Sequence, residues 1–180
     1  MSRCIAICPI GAVEGYIISR IVEFIQGRCG IPCEAMNGTE TPRYAYDEIR
    51  GQYNSSLILK RLPVYRSGTF RILGVTHLDL YVPILKYVYG LARIEGQCAI
   101  ISLHRLRPQF YDRAPDPHLL MSRIEKTALH EIAHSLGMIH CRDRRCVMYS
   151  STRITDTDLK KSGFCPSCQE LYTWHLMRSR

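Results

Sequence analysis

Three histidines and a glutamate in the run His130-Glu131-Ile132-Ala133-His134-Ser135-Leu136-Gly137-Met138-Ile139-His140 are the residues best placed to do chemistry. The chemistry they suit is hydrolysis at a metal ion. On a helix, His130 and His134 stand one turn apart on one face, so both rings can reach a single ion. Glu131 follows the first of them, turned off the metal axis but near enough to hold a water at the ion. A helix that simply continued would carry the next residues away. Gly137 can take positive φ, end the helix and turn the chain so that His140 supplies a third ligand. Three protein ligands leave a coordination position for water, which separates a catalytic zinc from a structural one. A bare His-Glu-x-x-His arises by chance in unrelated helices; the added glycine and third histidine make this spacing specific.

Cys141 follows directly, then Cys146, Met148 and the pair Cys165-Pro166-Ser167-Cys168. Cys165 and Cys168 form a short thiolate turn that suits zinc, and Cys141 with Cys146 makes a second looped pair. Disulfides are the alternative. They are not expected, because residues 4–10 read as a buried strand rather than a secretory segment, and the cytoplasm keeps thiols reduced. Cytoplasm is the expected compartment.

This string, from His130 through Cys168, resembles the archaemetzincins, a family within the metzincins, whose shared signature is the extended three-histidine pattern. The dense match spans about 40 residues. The resemblance implies a catalytic zinc on His130, His134 and His140, with Glu131 as general base. It also implies a second, structural zinc held by Cys141, Cys146, Cys165 and Cys168, with no open position. Met148 matches the Met-turn residue, an apolar floor beneath the histidines whose thioether packs and does not ligate. Tyr149 comes next. A tyrosine in that neighbourhood helps stabilise an oxyanion in some metzincins, so it is a candidate substrate-binding residue. The stretch Arg50-Gly51-Gln52-Tyr53-Asn54-Ser55-Ser56 resembles the family too, with capping or packing as its expected role.

Elements of an α/β (α+β) chain must hold these residues. Residues 4–8 form a continuous apolar run, as in a strand covered on both faces. Residues 12–28 carry Val13, Ile17, Ile18, Ile21, Val22 and Ile25 at helical spacing, and residues 32–36 read as a second strand. Residues 37–43 are a polar loop. Residues 46–62 look helical in their second half, with Tyr53, Leu57, Ile58 and Leu62 inward and Pro63 as the stop. Residues 74–82 read as a third strand. Residues 87–94 and 97–103 alternate as a hairpin turned at Glu95-Gly96. Residues 108–117 are a loop, 118–136 the active-site helix, and 169–178 a terminal helix after short turns.

The resemblance assigns these elements to a metzincin-like zincin: a twisted, mostly parallel mixed sheet with an antiparallel edge strand. The expected division is one catalytic domain over residues 1–180, with an upper subdomain 1–137 and a small zinc-stapled C-terminal subdomain 138–180. The edge strand would be Tyr87-Val88-Tyr89-Gly90-Leu91-Ala92-Arg93-Ile94, which a peptide substrate would join by strand addition.

At 180 residues the chain fits one domain with a proper core, and 46% hydrophobic with 22% charged residues describes an ordinary globule. No apolar run is long enough to cross a membrane, so none is expected as a partner. The formal net charge of +8, with groups at Arg105, Arg107, Arg142, Arg144 and Arg145, permits acidic partners. No nucleic-acid-binding signature accompanies it, so these arginines read as a solvated surface. His77, His104, His118 and His175 read as surface or core residues. The expected activity is zinc-dependent hydrolysis of peptide bonds, with Glu131 moving the proton from water to the departing amine. The resemblance points to short peptides or amino-terminal residues. Two other readings stay open: a catalytically silent metzincin fold used for binding, and a basic zinc-knuckle module that binds nucleic acid.

Overall fold

The computed structural model describes residues 3–62 and 69–178. A five-stranded sheet runs in the order β2-β1-β5-β8-β7, built from β1 (Cys4–Ile10), β2 (Cys33–Ala35), β5 (Thr69–Thr76), β7 (Gly90–Ala92) and β8 (Cys98–Ser102). All pairings are parallel except that of β7 with β8, which is antiparallel and lies at the sheet edge. The mixed, mostly parallel sheet with an antiparallel edge is therefore present as expected.

The unbroken apolar run of β1 has a direct cause. Ile5 and Ile7 join the core beneath helices α1 (Gly15–Cys29) and α3 (Pro117–Ser135). Ala6, Cys8 and Ile10 face the opposite core with α2 (Ser55–Arg61), whose Ile58 and Leu59 cover that side. A strand buried on both faces has no polar alternation to show. Helix α1 buries Ile17, Ile18, Ile21 and Ile25, and ends where Gly30 adopts φ 63°.

Several expected elements are corrected. The third strand begins at Thr69 and stops at Thr76, earlier than residues 74–82. Arg71 had masked its start; its guanidinium reaches the Ser135 carbonyl at 3.2 Å, so a charged residue sits in a core strand. At its end, the Thr76 hydroxyl donates to the Ile10 carbonyl and accepts from the Leu78 N–H, which turns the chain. Residues 46–54 contain strands β3 (Tyr46–Asp47) and β4 (Gln52–Asn54), which with β6 (Leu80–Tyr81) make a second, three-stranded sheet. Strands this short carry no readable period. Asn54 caps α2 through the N–H groups of Ser56 and Leu57, so the helix phase puts Leu57 outward at 40% exposure. The expected stop at Pro63 lies outside the described residues. The expected edge of residues 87–94 shrinks to Gly90–Ala92, because Val88 bridges to Leu80 of the smaller sheet.

Helix α3 starts at Pro117, with Asp116 accepting from the Leu119 N–H at 2.9 Å, a proline-first start behind an acidic cap. Two further helices follow: α4 (Ile154–Leu159), which falls among the expected turns, and α5 (Pro166–Arg178), which starts three residues before the expected 169. Arg123 of α3 is completely buried, gives its Nε and Nη2 to Asp158 of α4 at 2.7 and 2.8 Å, and gives Nη1 to the Leu106 carbonyl. Asp158→Ala leaves that guanidinium without its counter-charge and is expected to destabilise the fold by about 3–5 kcal/mol. Urea unfolding would measure the loss; a change below about 1 kcal/mol would show that the pair does not hold α4 to α3. Val147, Met148 and Tyr172 share one core with Ile124 and Leu129 of α3. Among the described residues no helix is long and apolar enough to cross a membrane.

Candidate active site

Helix α3 carries His130 and His134 on one face, and its end is a tight glycine stop. The Met138 N–H reaches the Ala133 carbonyl at 3.1 Å and the Gly137 N–H reaches that of His134 at 2.9 Å. Gly137 sits at φ 108°. This paired bonding is the turn that lets glycine reverse the chain after a helix. The ligand atoms of His130, His134 and His140 all lie within 4.8 Å of one another.

The hydrogen bonds fix which ring nitrogens are free. Nδ1 of His130 meets the Val147 carbonyl at 2.8 Å, and Nδ1 of His134 meets the Met138 carbonyl at 2.7 Å. A carbonyl only accepts, so both protons sit on Nδ1 and both Nε2 atoms present lone pairs. Those two nitrogens face each other 3.0 Å apart. Two acceptors so close, with no proton between them, suit a shared cation; tetrahedral zinc with bonds of about 2.0–2.1 Å would set them roughly 3.3 Å apart. Burial first, and the charge of Lys160 second, lower the pKa of His130, and burial lowers those of His134 and His140. All three imidazoles are thereby kept neutral, the form that ligates.

Glu131 lies beside them, buried, with burial pushing its carboxyl up to about 8 against the opposing pull of Lys160. It is seated on Gly90. A Cβ at Gly90 would fall 2.6 Å from Glu131 Cγ and 2.8 Å from Oε1. Gly90→Ala is therefore expected to displace the carboxylate and lower kcat on a peptide by roughly 10²-fold, the cost of about 1 Å of misplacement, with zinc content unchanged. Activity within threefold of the parent would show that the carboxylate does not depend on this contact.

The cleft has a volume of about 580 Å³. All of the expected edge residues except Arg93 line it, although Tyr89 is mostly buried and its hydroxyl meets that of Tyr111 at 3.3 Å. Tyr149 is not among the lining residues; its backbone bridges to Cys141 beneath them. Met148 is fully buried beside Val147, whose carbonyl orients His130. The opposite wall was not legible in the sequence. It comprises Lys126 and Thr127 of α3, Ser150 to Thr152, and Thr157 and Lys160 around α4. Lys160, between Leu159 and Lys161, reads as a surface residue from sequence alone, yet it is only 6% exposed. Burial brings its ammonium down to about 8, with Glu131 opposing.

Arg50 to Ser56 acquires a structural role. Arg50 stacks on Tyr81 at 4.3 Å and gives hydrogen bonds to the Pro83 and Leu85 carbonyls, while Gln52 bonds Asp79 and the Lys86 carbonyl. The stretch braces the loop that leads into the cleft edge. Asp79 also holds Arg105 through two contacts of 2.7 Å, and Arg105 lies over Tyr87. Burial alone would raise the Asp79 carboxyl, but the bonds from Arg105 and Gln52 outweigh it and hold it below the usual range. With the folded value below the unfolded one of about 3.9, this stabilisation is complete above about pH 4. It fades as pH falls through the folded value. Asp79→Asn is expected to lower Tm at pH 7 and flatten its acid limb; an unchanged Tm–pH curve would contradict this.

The four cysteines Cys141, Cys146, Cys165 and Cys168 place their sulfurs within 4.8 Å of one another. Cys141 and Cys165 are 3.9 Å apart, far beyond a disulfide bond of about 2.05 Å and close to the roughly 3.8 Å of two thiolates on one zinc. Backbone N–H groups of Met148 and Cys165 point at the Cys146 sulfur, and that of Asp143 at Cys141. Such donors favour thiolates, so this donor set fits a tetrahedral metal. Among the described residues no cysteine is in a disulfide.

A neutral imidazole triad opening on a cleft, with a buried carboxylate at its side, is the equipment of a metal-dependent hydrolase, and the mixed sheet above it is that of the metzincin peptidases. Comparison with known proteins agrees. The chain matches peptidase family M54 over residues 15–173. It is 43% identical over 167 residues to an archaemetzincin of Methanocaldococcus jannaschii, covering 91% of this chain and 89% of the relative. The crystal structure of the archaemetzincin from Methanopyrus kandleri superposes with a TM-score of 0.86 at 32% identity, covering 98% of this chain and 96% of that one. The archaemetzincin structure from Archaeoglobus fulgidus, complexed with malonate, gives a TM-score of 0.82 at 30% identity, covering 93% and 98%. The chain belongs to peptidase family M54, the archaemetzincins, and is a zinc metalloprotease.

Proposed function

We propose that this chain hydrolyses peptides, or removes amino-terminal residues, at a zinc held by His130, His134 and His140, with Glu131 as general base and a second, structural zinc on the four cysteines. The observation that carries the reading is the pair of facing imidazole lone pairs beside a buried carboxylate, at the floor of an open cleft. Zinc, when bound there, supplies Lewis acidity to the scissile carbonyl and acidifies water to near neutrality. The protein's own groups do the rest. His130 and His134 are locked in tautomer and orientation by the Val147 and Met138 carbonyls. Glu131 takes the proton from the attacking water and delivers it to the departing amine. Gly90, Leu91 and Ala92 form the free outer edge of the sheet along the cleft, where an extended peptide adds as a further strand. Native mass spectrometry and a peptide-library digest test the proposal together. Two zinc ions and cleavage are expected; a fully zinc-loaded protein that cleaves nothing would instead mark a silent fold used for binding.

A further inference from the structure

We propose that Lys160 is a specificity-determining residue: its ammonium receives a carboxylate that the substrate carries beside the scissile bond. The inference rests on the peptidase reading above and deepens it. Lys160 lines the cleft, is 6% exposed, and makes no hydrogen bond or salt bridge among the described residues. Glu131 and Asp156 attract it through space without contact. Lys126 on the same wall differs, because its ammonium is engaged by the Thr157 and Asp158 carbonyls at 3.2 and 3.3 Å. A mostly buried ammonium with no protein acceptor is poorly solvated, and an anion entering the cleft replaces the little water it still touches.

Position supports the same conclusion. Thr127 and Lys126 precede His130 by about one turn of α3, so the cleft runs from the histidines past Glu131 and back along the helix to Lys160. A substrate with its carbonyl at the histidines extends a neighbouring group into that space. The wall is fixed in place, because Asp158 of α4 is clamped by Arg123. Ser151, on the same wall, has a buried hydroxyl without a partner among the described residues and is a second donor beside Lys160. The net charge of +8 adds a long-range attraction for acidic peptides. The carboxylate has two possible sources, an Asp or Glu side chain and the free α-carboxylate of a short peptide.

Matched peptides assayed on the zinc-loaded full chain decide between them. One pair differs by Glu against Gln at each position flanking the cleaved bond; the other differs by free acid against C-terminal amide. The acidic member of one pair is expected to have the higher kcat/KM by about 10- to 100-fold, the scale of one charge-assisted hydrogen bond. In Lys160→Met the ratio of kcat/KM between the acidic and neutral members of the pair is expected to collapse towards one, whatever rate the variant keeps on both, and Lys160→Arg should keep part of the ratio. No preference in the parent, or a preference that survives Lys160→Met, overturns the proposal. So does an equal loss on acidic and neutral peptides, which would make Lys160 a counter-ion of Glu131. Calorimetric binding of the same peptides to Glu131→Gln, with and without Lys160→Met, reads the preference independently of turnover. If nothing is cleaved, the peptidase reading fails, and this binding arm still decides the role of Lys160.

Discussion

Glu131→Gln is expected to lower turnover by roughly 10²–10⁴-fold, the range of general acid–base catalysis, while the histidine site keeps its zinc. The substitution is nearly isosteric, so the close seat on Gly90 is preserved and the imidazole geometry is undisturbed. What changes is proton chemistry: an amide cannot accept a proton from water and return it to an amine. The measurement is kcat/KM on a cleavable peptide alongside zinc content for parent and variant. Full zinc with collapsed turnover supports the assignment. Turnover within a few-fold of the parent would require another base, and lost zinc would make Glu131 structural.

Cys168→Ser carries the larger effect on stability. Cys168 is buried and shares the core that contains Val147, Met148 and Tyr172. Structural zinc sites of this kind contribute about 10–16 kcal/mol of apparent binding free energy at neutral pH, much of which becomes folding free energy. The variant is expected to bind one zinc in place of two and to lose cooperative unfolding of its C-terminal part. Chelation of the parent should have the same effect. The histidine site should weaken as well, since His140 directly precedes Cys141 and the His130 carbonyl partner, Val147, lies next to Cys146. A variant that keeps both metals and its melting temperature would exclude a thiolate zinc at these residues.

The readable and unreadable parts of this protein divide along physical lines. The histidines, Glu131 and the cysteines lie within 39 positions of chain, at spacings set by helix and metal geometry. Their grouping in space was therefore legible, as were α1, α3 and the antiparallel hairpin, whose patterns are long. The smaller sheet was not, because β3, β4 and β6 are two or three residues each. The start of β5 was hidden by Arg71, whose charge is satisfied by the distant Ser135 carbonyl. Gly90 was assigned to the substrate edge for its position, and its second role as the seat of Glu131 depends on a contact across 41 residues of chain. Lys160 carries no sequence signal, since its burial comes from how α4 is pinned by Arg123.

One core runs from Ile124 and Leu129 on the active-site helix into Val147, Met148 and Tyr172 beyond the third histidine. The active-site helix and the segment that follows the third histidine are thus packed into one body. Under the proposed strand addition at Gly90–Ala92, the segments this site is expected to accept are already extended: chain ends, or stretches opened by earlier proteolysis.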